Sequence, residues 1–200
     1  MSPPEARNRI DALLSASISV KEALRSGHLD GIVRFCEMAG ETLRAGGKLI
    51  FLGNGGSAAD AQHLAAELAG RFQLERNPLP AIALTTNTSI LTAVGNDYGF
   101  DQVFSRQLEA VGRAGDLVVA ISTSGNSPNI LEAALMARKK GLLIVGMTGD
   151  SGGKLASHVD LLVSVPSANT ARIQEAHITI GHILCELVEE SLVKDGGRIS

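Results

Sequence analysis

The sequence has no tryptophan and one tyrosine, and aromatic residues make up 3% of its 200 positions. A protein that stacks single-stranded bases needs aromatic platforms, so this scarcity argues against that class. Positive charge is not concentrated either. Eighteen Lys and Arg face 21 Asp and Glu, the net charge is −3, and no dense basic run occurs. DNA and RNA are therefore not expected as main partners. Only two cysteines are present, Cys36 and Cys185, far apart and each among apolar neighbours. They read as buried, reduced thiols rather than as a disulfide. No apolar run is long enough to span a bilayer. The opening Met1-Ser2-Pro3-Pro4-Glu5-Ala6-Arg7 lacks the apolar core of a signal peptide. A membrane partner is not expected, and the cytoplasm is the expected compartment.

Glycine is plentiful at 22 residues, and 44% of the chain is hydrophobic. A chain of this length buries a sizeable core in one domain. Many glycines with few aromatics suit alternating strands and helices, whose connecting turns need special backbone angles. Two helical stretches come first. Residues 4–25 place Ile10, Leu13, Leu14 and Ile18 on one face, and a second stretch over 29–45 stops at Gly46-Gly47. Apolar runs at 49–52, 81–84, 117–121, 142–147 and 161–165 lack polar alternation, as strands of a parallel sheet covered on both faces do. Helices are expected between them at 57–70, 89–94 and 127–140, with a long one at 171–193. Short right-handed crossovers then give a three-layer α/β/α sandwich around a five-stranded parallel sheet. Residues 1–200 read as one domain without linker or repeat. Residues 1–46 form a helical extension whose apolar stripe packs on its own sheet or on a partner subunit.

In such a sheet ligands sit at the carboxyl ends of the strands, where three polar loops fall. Gly53-Asn54-Gly55-Gly56-Ser57 is either a ligand loop with close backbone approach or a tight turn capped by Ser57. Gly95-Asn96-Asp97-Tyr98-Gly99 is either a plain turn or a source of polar groups for sugar hydroxyls. The informative loop is Ser122-Thr123-Ser124-Gly125-Asn126-Ser127-Pro128. Ser127 suits an N-cap and Pro128 the first helical position. The helix start offers free N–H groups and the positive end of the dipole. A capped loop needs one hydroxyl, and this one has four, so it reads as a phosphate cradle. It is neither a Gly-x-Gly-x-x-Gly nor a Walker loop, which disfavours NAD and ATP.

His63 and Glu67 stand one helical turn apart on one face. They can share a metal or act together in proton transfer, although an isolated pair of this spacing is more often a surface pair. Gln174 and His182 lie eight residues apart on the last helix, about 12 Å along its axis. That separation is long for one metal, so one of the two is expected to serve a neighbouring subunit. The plainer account is a polar patch on an amphipathic helix, with His182 a hydrogen-bonded core histidine. His158 and His177 read as structural or surface residues.

Taken in order, the glycine loop with His63 and Glu67, then Gly95-Asn96-Asp97, the hydroxyl loop, and Arg172-Ile173-Gln174-Glu175 with His182 resemble the sugar isomerase (SIS) domain family. The resemblance covers nearly the whole chain. It implies a flavodoxin-like fold and a homotetramer with active sites between subunits, residues 1–46 lying in the interface. It implies an aldose–ketose isomerase that converts sedoheptulose 7-phosphate to D-glycero-D-manno-heptose 7-phosphate, towards heptose for bacterial surface glycans. It also implies one zinc per subunit, on His63, Glu67, Gln174 and His182. Glu67 and His182 carry the implied acid–base roles. The implied substrate contacts are Asn54, Gly55, Gly56, Ser57, Glu67, Asn96, Asp97, Ser122, Thr123, Ser124, Ser127 and Gln174. Some members carry an acidic residue just before Arg-Ile-Gln-Glu, where this chain has Asn169-Thr170-Ala171. Other SIS proteins are not catalytic: some bind a replication initiator protein, and some sense sugar phosphates in transcription regulators. A binder needs the phosphate loop but not Glu67 with His182, so the enzyme is the favoured reading. An isomerase of a pentose or hexose phosphate ranks below the heptose enzyme.

Overall fold

A computed structural model describes residues 1–194. Two helices come first, α1 (Pro3–Gly27) and α2 (Leu29–Arg44). Then β1 (Leu49–Gly53), α3 (Gly56–Ala69), β2 (Ala81–Ala83), α4 (Thr88–Tyr98), α5 (Ser105–Val111) and β3 (Leu117–Ile121) follow. The chain continues with α6 (Pro128–Lys139), β4 (Leu143–Thr148), β5 (Leu161–Ser164) and α7 (Thr170–Lys194). Short 3-10 helices lie at Phe100–Gln102 and Gly153–His158. All strand pairings are parallel, in the order β2-β1-β3-β4-β5.

Every residue of β1 and β3 is buried, as their unbroken apolar runs require. One core layer packs Phe35, Leu43, Leu64, Leu68, Ile180 and Leu184 from α2, α3 and α7 against the sheet. The other packs Leu108, Ile130, Ala133 and Ala137 from α5 and α6 against the opposite face. The three layers and five strands are those expected, with shifts of a residue or two at the strand ends. The first helix begins with a Ser2–Glu5 capping box, and of its side chains only Leu24 is buried. Ile10, Leu14 and Ile18 remain more than half exposed in the single chain. Among the described residues no helix is long and apolar enough to cross a membrane.

Two expectations are corrected, one alternative is excluded and one helix is new. The segment Gly95-Asn96-Asp97-Tyr98 is not a strand-end loop but the last turns of α4. That helix starts on an Asn87 cap, whose Oδ1 accepts the Ile90 N–H at 3.0 Å, and it ends only at Gly99, with φ +92°. A glycine inside a helix costs about 1 kcal/mol, too little to stop one that is capped and packed. Ser57 is not the cap of α3; the helix starts at Gly56 on Gly55, and Ser57 is buried in its first turn. Cys36 is only half-buried, whereas Cys185 is buried; both thiols are free, and burial pushes them up to about 11 and about 12. The helix α5 was not anticipated, because seven residues give too short a window for a period. Before α7, the carbonyl oxygen of the Asn169 side chain accepts the N–H of Ala171 at 3.0 Å and of Arg172 at 3.4 Å. The chain therefore uses this segment as a helix cap.

His177 is structural. Its ring is buried in the inner face of α7, and Nε2 donates to the Thr148 carbonyl at 3.1 Å, while Nδ1 has no partner. Burial pushes its pKa down to about 4, against the weaker opposing effect of the Thr148 bond. The folded state thus resists a proton that the unfolded chain accepts near pH 6.5. Stability is fully present above that pH and is lost as pH falls towards 4, by about 3 kcal/mol at most. Denaturant midpoints for wild type and His177→Leu should converge by about that amount between pH 7 and pH 4. A gap that stays constant over the range contradicts this account.

Candidate active site

The carboxyl ends of β1 and β3 are neighbours, because Gly53 pairs with Ile121. The chain leaves β1 towards β2 on one side and later enters β3 on the other, so a crevice opens between the two loops. The hydroxyl loop is fixed by its own bonds. Ser122 N–H continues the ladder to the Met147 carbonyl at 2.9 Å, and Gly125 N–H donates to the Ser122 carbonyl at 3.1 Å. Gly125 turns the chain at φ +63°, with the Gly152 carbonyl packed where a Cβ would stand. Asn126 holds the neighbouring loop, its Oδ1 accepting the Lys154 N–H at 3.0 Å. Ser127 precedes Pro128 at the start of α6, yet its hydroxyl makes no capping bond and lies 3.4 Å from that of Ser122. It is thus left available to a ligand beside the positive end of the helix.

Asn54, Ser57, Ser122, Thr123, Ser127 and Gln174 line one cavity of about 60 Å³. The starts of α3 and α6 both border it. Ser124 opens instead into a second cavity of about 320 Å³, shared with Thr123, Asn126, Asp150, Ser151 and Ser167. Gly55 and Gly56 are exposed in the first loop, and the Gln174 amide lies against Gly56, its Nε2 2.5 Å from the position of a glycine-replacing Cβ. Asn54 is held by a residue that the sequence did not single out. Its side-chain amide and that of buried Asn129 exchange two hydrogen bonds, at 2.8 and 2.9 Å. The groove of about 450 Å³ between α2 and α7 contains none of the expected site residues.

The second cluster forms where α3 crosses α7. Gly181 lets the helices approach; a Cβ there would meet the Leu64 side chain at 2.5 Å. His63 Nε2 then stands 2.9 Å from His182 Nε2 and 3.3 Å from Glu67 Oε1. The two imidazole rings meet edge to face at 5.1 Å, and the Phe72 ring covers His182 at 5.4 Å. The His63 side chain is 45% exposed and that of Glu67 23%, so the cluster is open to a substrate.

Two imidazole nitrogens and a carboxylate are suitable zinc donors. A tetrahedral ion at about 2.0–2.1 Å holds its ligand atoms about 3.3 Å apart, close to the separations seen here. The donor types therefore fit zinc. Among the described residues no three His, Cys, Asp or Glu side chains already stand in metal-holding geometry, so binding requires side-chain rotation. Gln174, the fourth expected ligand, lies at the glycine loop instead, about two turns of α7 away from His182. Among the described residues Asn96 and Asp97 share no hydrogen bond with either cluster. They are exposed on α4, and their side chains bond each other at 2.8 Å.

A parallel sheet with a hydroxyl-rich loop at its switch point, and a histidine–carboxylate cluster on two crossing helices, suits a sugar-phosphate isomerase. The SIS domain family model matches residues 14–149. A phosphoheptose isomerase of Roseiflexus sp. is 57% identical over 182 residues, which cover 91% of this chain and 92% of that protein. One from Rhodospirillum rubrum is 64% identical over 151 residues, 76% of this chain and 80% of that protein. The solved phosphoheptose isomerase GmhA of Neisseria gonorrhoeae superposes with a TM-score of 0.88 at 45% identity, covering 92% of this chain and 99% of that one. The chain belongs to the SIS domain family, among the phosphoheptose isomerases, and is an isomerase of sugar phosphates.

The role of Gly125 is open to a direct check. Alanine there would combine a left-handed backbone with overlap on the Gly152 carbonyl, a cost of about 3 kcal/mol. Gly125→Ala should lower the denaturation midpoint accordingly, and should weaken binding of inorganic phosphate in titration calorimetry. Unchanged phosphate affinity would show that the turn does not shape the cradle.

Proposed function

We propose that the protein interconverts sedoheptulose 7-phosphate and D-glycero-D-manno-heptose 7-phosphate through an enediol. The observation that carries this reading is the meeting of Glu67 and His182, from separate helices, on either side of His63. A protein that merely held a sugar phosphate would need the hydroxyl loop but no such pair. Ser122, Thr123, Ser124 and Ser127, with Ser57 and the backbone of Gly55 and Gly56, hold the phosphate. Asn54, Asn96, Asp97 and Gln174 take the sugar hydroxyls. The anchored phosphate fixes C1 and C2 relative to the acid–base pair. Glu67 carries the proton between C1 and C2, and His182 gives and takes the proton on the carbonyl oxygen. His63, Glu67, Gln174 and His182 would hold zinc, which when bound supplies Lewis-acid polarisation of the carbonyl.

The protein works, on this proposal, as a cytoplasmic homotetramer with its sites between subunits, supplying heptose for bacterial surface glycans. Two observations support a shared site. The 60 Å³ cavity is far smaller than the roughly 300 Å³ and more of ordinary small-molecule sites. The apolar stripe of Ile10, Leu13, Leu14 and Ile18, with Leu29 and Val33, lacks cover in one chain, which suits an interface role for residues 1–46.

The test uses purified protein and sedoheptulose 7-phosphate. Glu67→Gln and His182→Ala should each lower kcat by about 10²–10⁴-fold. Undiminished turnover in either variant removes its assigned role, and an inactive wild type that still binds the sugar phosphate marks a non-catalytic protein. Zinc is read separately: near-zero metal content with full activity in chelator overturns that part.

A further inference from the structure

A buried ion pair lies behind the proton-transfer cluster. Arg76 Nη2 stands 2.9 Å from Glu189 Oε1, with the two side chains 6% and 1% exposed. Desolvating two charges is costly, so such a pair is weak evidence of stabilisation and needs another account. Its remaining bonds supply one. Glu189 Oε1 accepts the Phe72 N–H at 2.7 Å, and Oε2 accepts those of Gln73 and Leu74 at 2.8 and 3.0 Å. Burial alone would raise the Glu189 pKa; these three donors and Arg76 outweigh it and hold the carboxyl below its ordinary range. The segment after α3 is thus wrapped around one carboxylate.

Arg76 turns its two Nη groups to the end of α3 and leaves Nε without a partner. Nη2 donates to the Glu67 carbonyl at 2.9 Å, and Nη1 donates to those of Gly70 and Asn77, both at 3.0 Å. The last carbonyls of a helix lack intrahelical partners, and a guanidinium satisfies them while complementing the dipole. Here one of those carbonyls belongs to Glu67. Glu189, in turn, lies seven residues after His182, two turns along the same face of α7. The Phe72 ring, placed by the Glu189 bond to its own backbone N–H, covers the His182 ring at 5.4 Å. One ion pair therefore touches the backbone of Glu67 and the neighbour that packs His182.

We propose that Arg76 and Glu189 are positioning residues of the isomerase reaction, setting Glu67 and His182 against each other through the end of α3 and the Phe72 ring. The inference rests on the acid–base roles given above. The hydroxyl loop shares none of these bonds, so the pair should govern turnover and not substrate capture.

The decisive variants are Arg76→Lys, which keeps the charge beside Glu189 but cannot span the carbonyls of Glu67, Gly70 and Asn77 together, and Glu189→Gln. Both are assayed with sedoheptulose 7-phosphate below their melting temperatures, and the ring signals of histidine-labelled protein are recorded by carbon–proton NMR. His182→Ala identifies the His182 signal, and Phe72→Leu gives its position without the ring current. The expected result is a fall in kcat of about ten- to a hundredfold with KM near wild type, and a shift of the His182 signal towards its Phe72→Leu position. Either change without the other, or a raised KM with retained kcat, overturns the proposal. Should Glu189→Gln not fold, Arg76→Lys decides alone. An inactive wild type or a fully active Glu67→Gln would instead defeat the reading of the site, and the ring signal would still report whether the ion pair seats Phe72 on His182.

Discussion

The pairing of β1 with β3 is the constraint on which the site depends. These two strands are adjacent in the sheet but separated in sequence by α3, β2, α4 and α5. Their register, from Leu49 opposite Leu117 to Gly53 opposite Ile121, ends both strands at one level. The chain then departs to opposite sides, so no connection covers the crevice between the loops. Both following helices begin there, α3 at Gly56 and α6 at Pro128. A slip of one residue would turn the buried faces of these fully apolar strands and separate Asn54 from its amide partner Asn129.

The second requirement is the crossing of α3 and α7. The first of these carries His63 and Glu67, and the second carries Gln174 and His182. Gly181 permits the close approach, and at the far end of the crossing Arg76 and Glu189 lock the segment after α3 onto α7. The crossing is therefore fixed by packing at one point and by a buried charge pair at another. Different arrangements hold the two halves of the site: backbone turns and hydroxyls at the loop after β3, side chains on rigid helices at the crossing of α3 and α7. Sites on helices hold their geometry more tightly than sites on loops.

Much of this was legible in the residues. Strands covered on both faces are continuous apolar runs, and the hydroxyl loop stands out because four hydroxyls exceed what capping requires. The His63–Glu67 spacing and the separation of Gln174 from His182 follow from helical geometry alone, and α7 does set them at different places. What failed was local punctuation. Gly95 and Asn96 read as a turn because both are helix breakers, yet α4 runs through them to Gly99. The glycine loop left a cap by Ser57 open, since Ser favours that position, and the backbone of Gly55 takes it. Asn129, Arg76 and Glu189 were invisible for a different reason. Each looks like a common polar residue on a helix or loop, and its importance lies in a partner that only the fold brings near. The Asn169 segment was read for the carboxylate it lacks, whereas the structure shows the capping bonds that it makes.

The placement of Gln174 bears on how such a site is completed. A helix rises about 1.5 Å per residue, so Gln174 and His182 are held about 12 Å apart whatever the substrate does. Side-chain rotation can bring a carboxylate or a ring nitrogen a few ångströms, but it cannot shorten a helix buried along Ile173, Ala176, Ile180 and Leu184. In one chain Gln174 therefore lies with the hydroxyl loop and His182 with His63 and Glu67. If both are to meet one metal or one sugar, the missing reach has to come from another copy of the chain. The same single chain leaves the apolar stripe of α1 uncovered, and Arg172, just before Gln174, donates to the Leu13 carbonyl of that helix at 2.8 Å. The helix with the uncovered stripe is thus bonded to the turn of α7 that carries Gln174, so whatever covers the one bears on the position of the other.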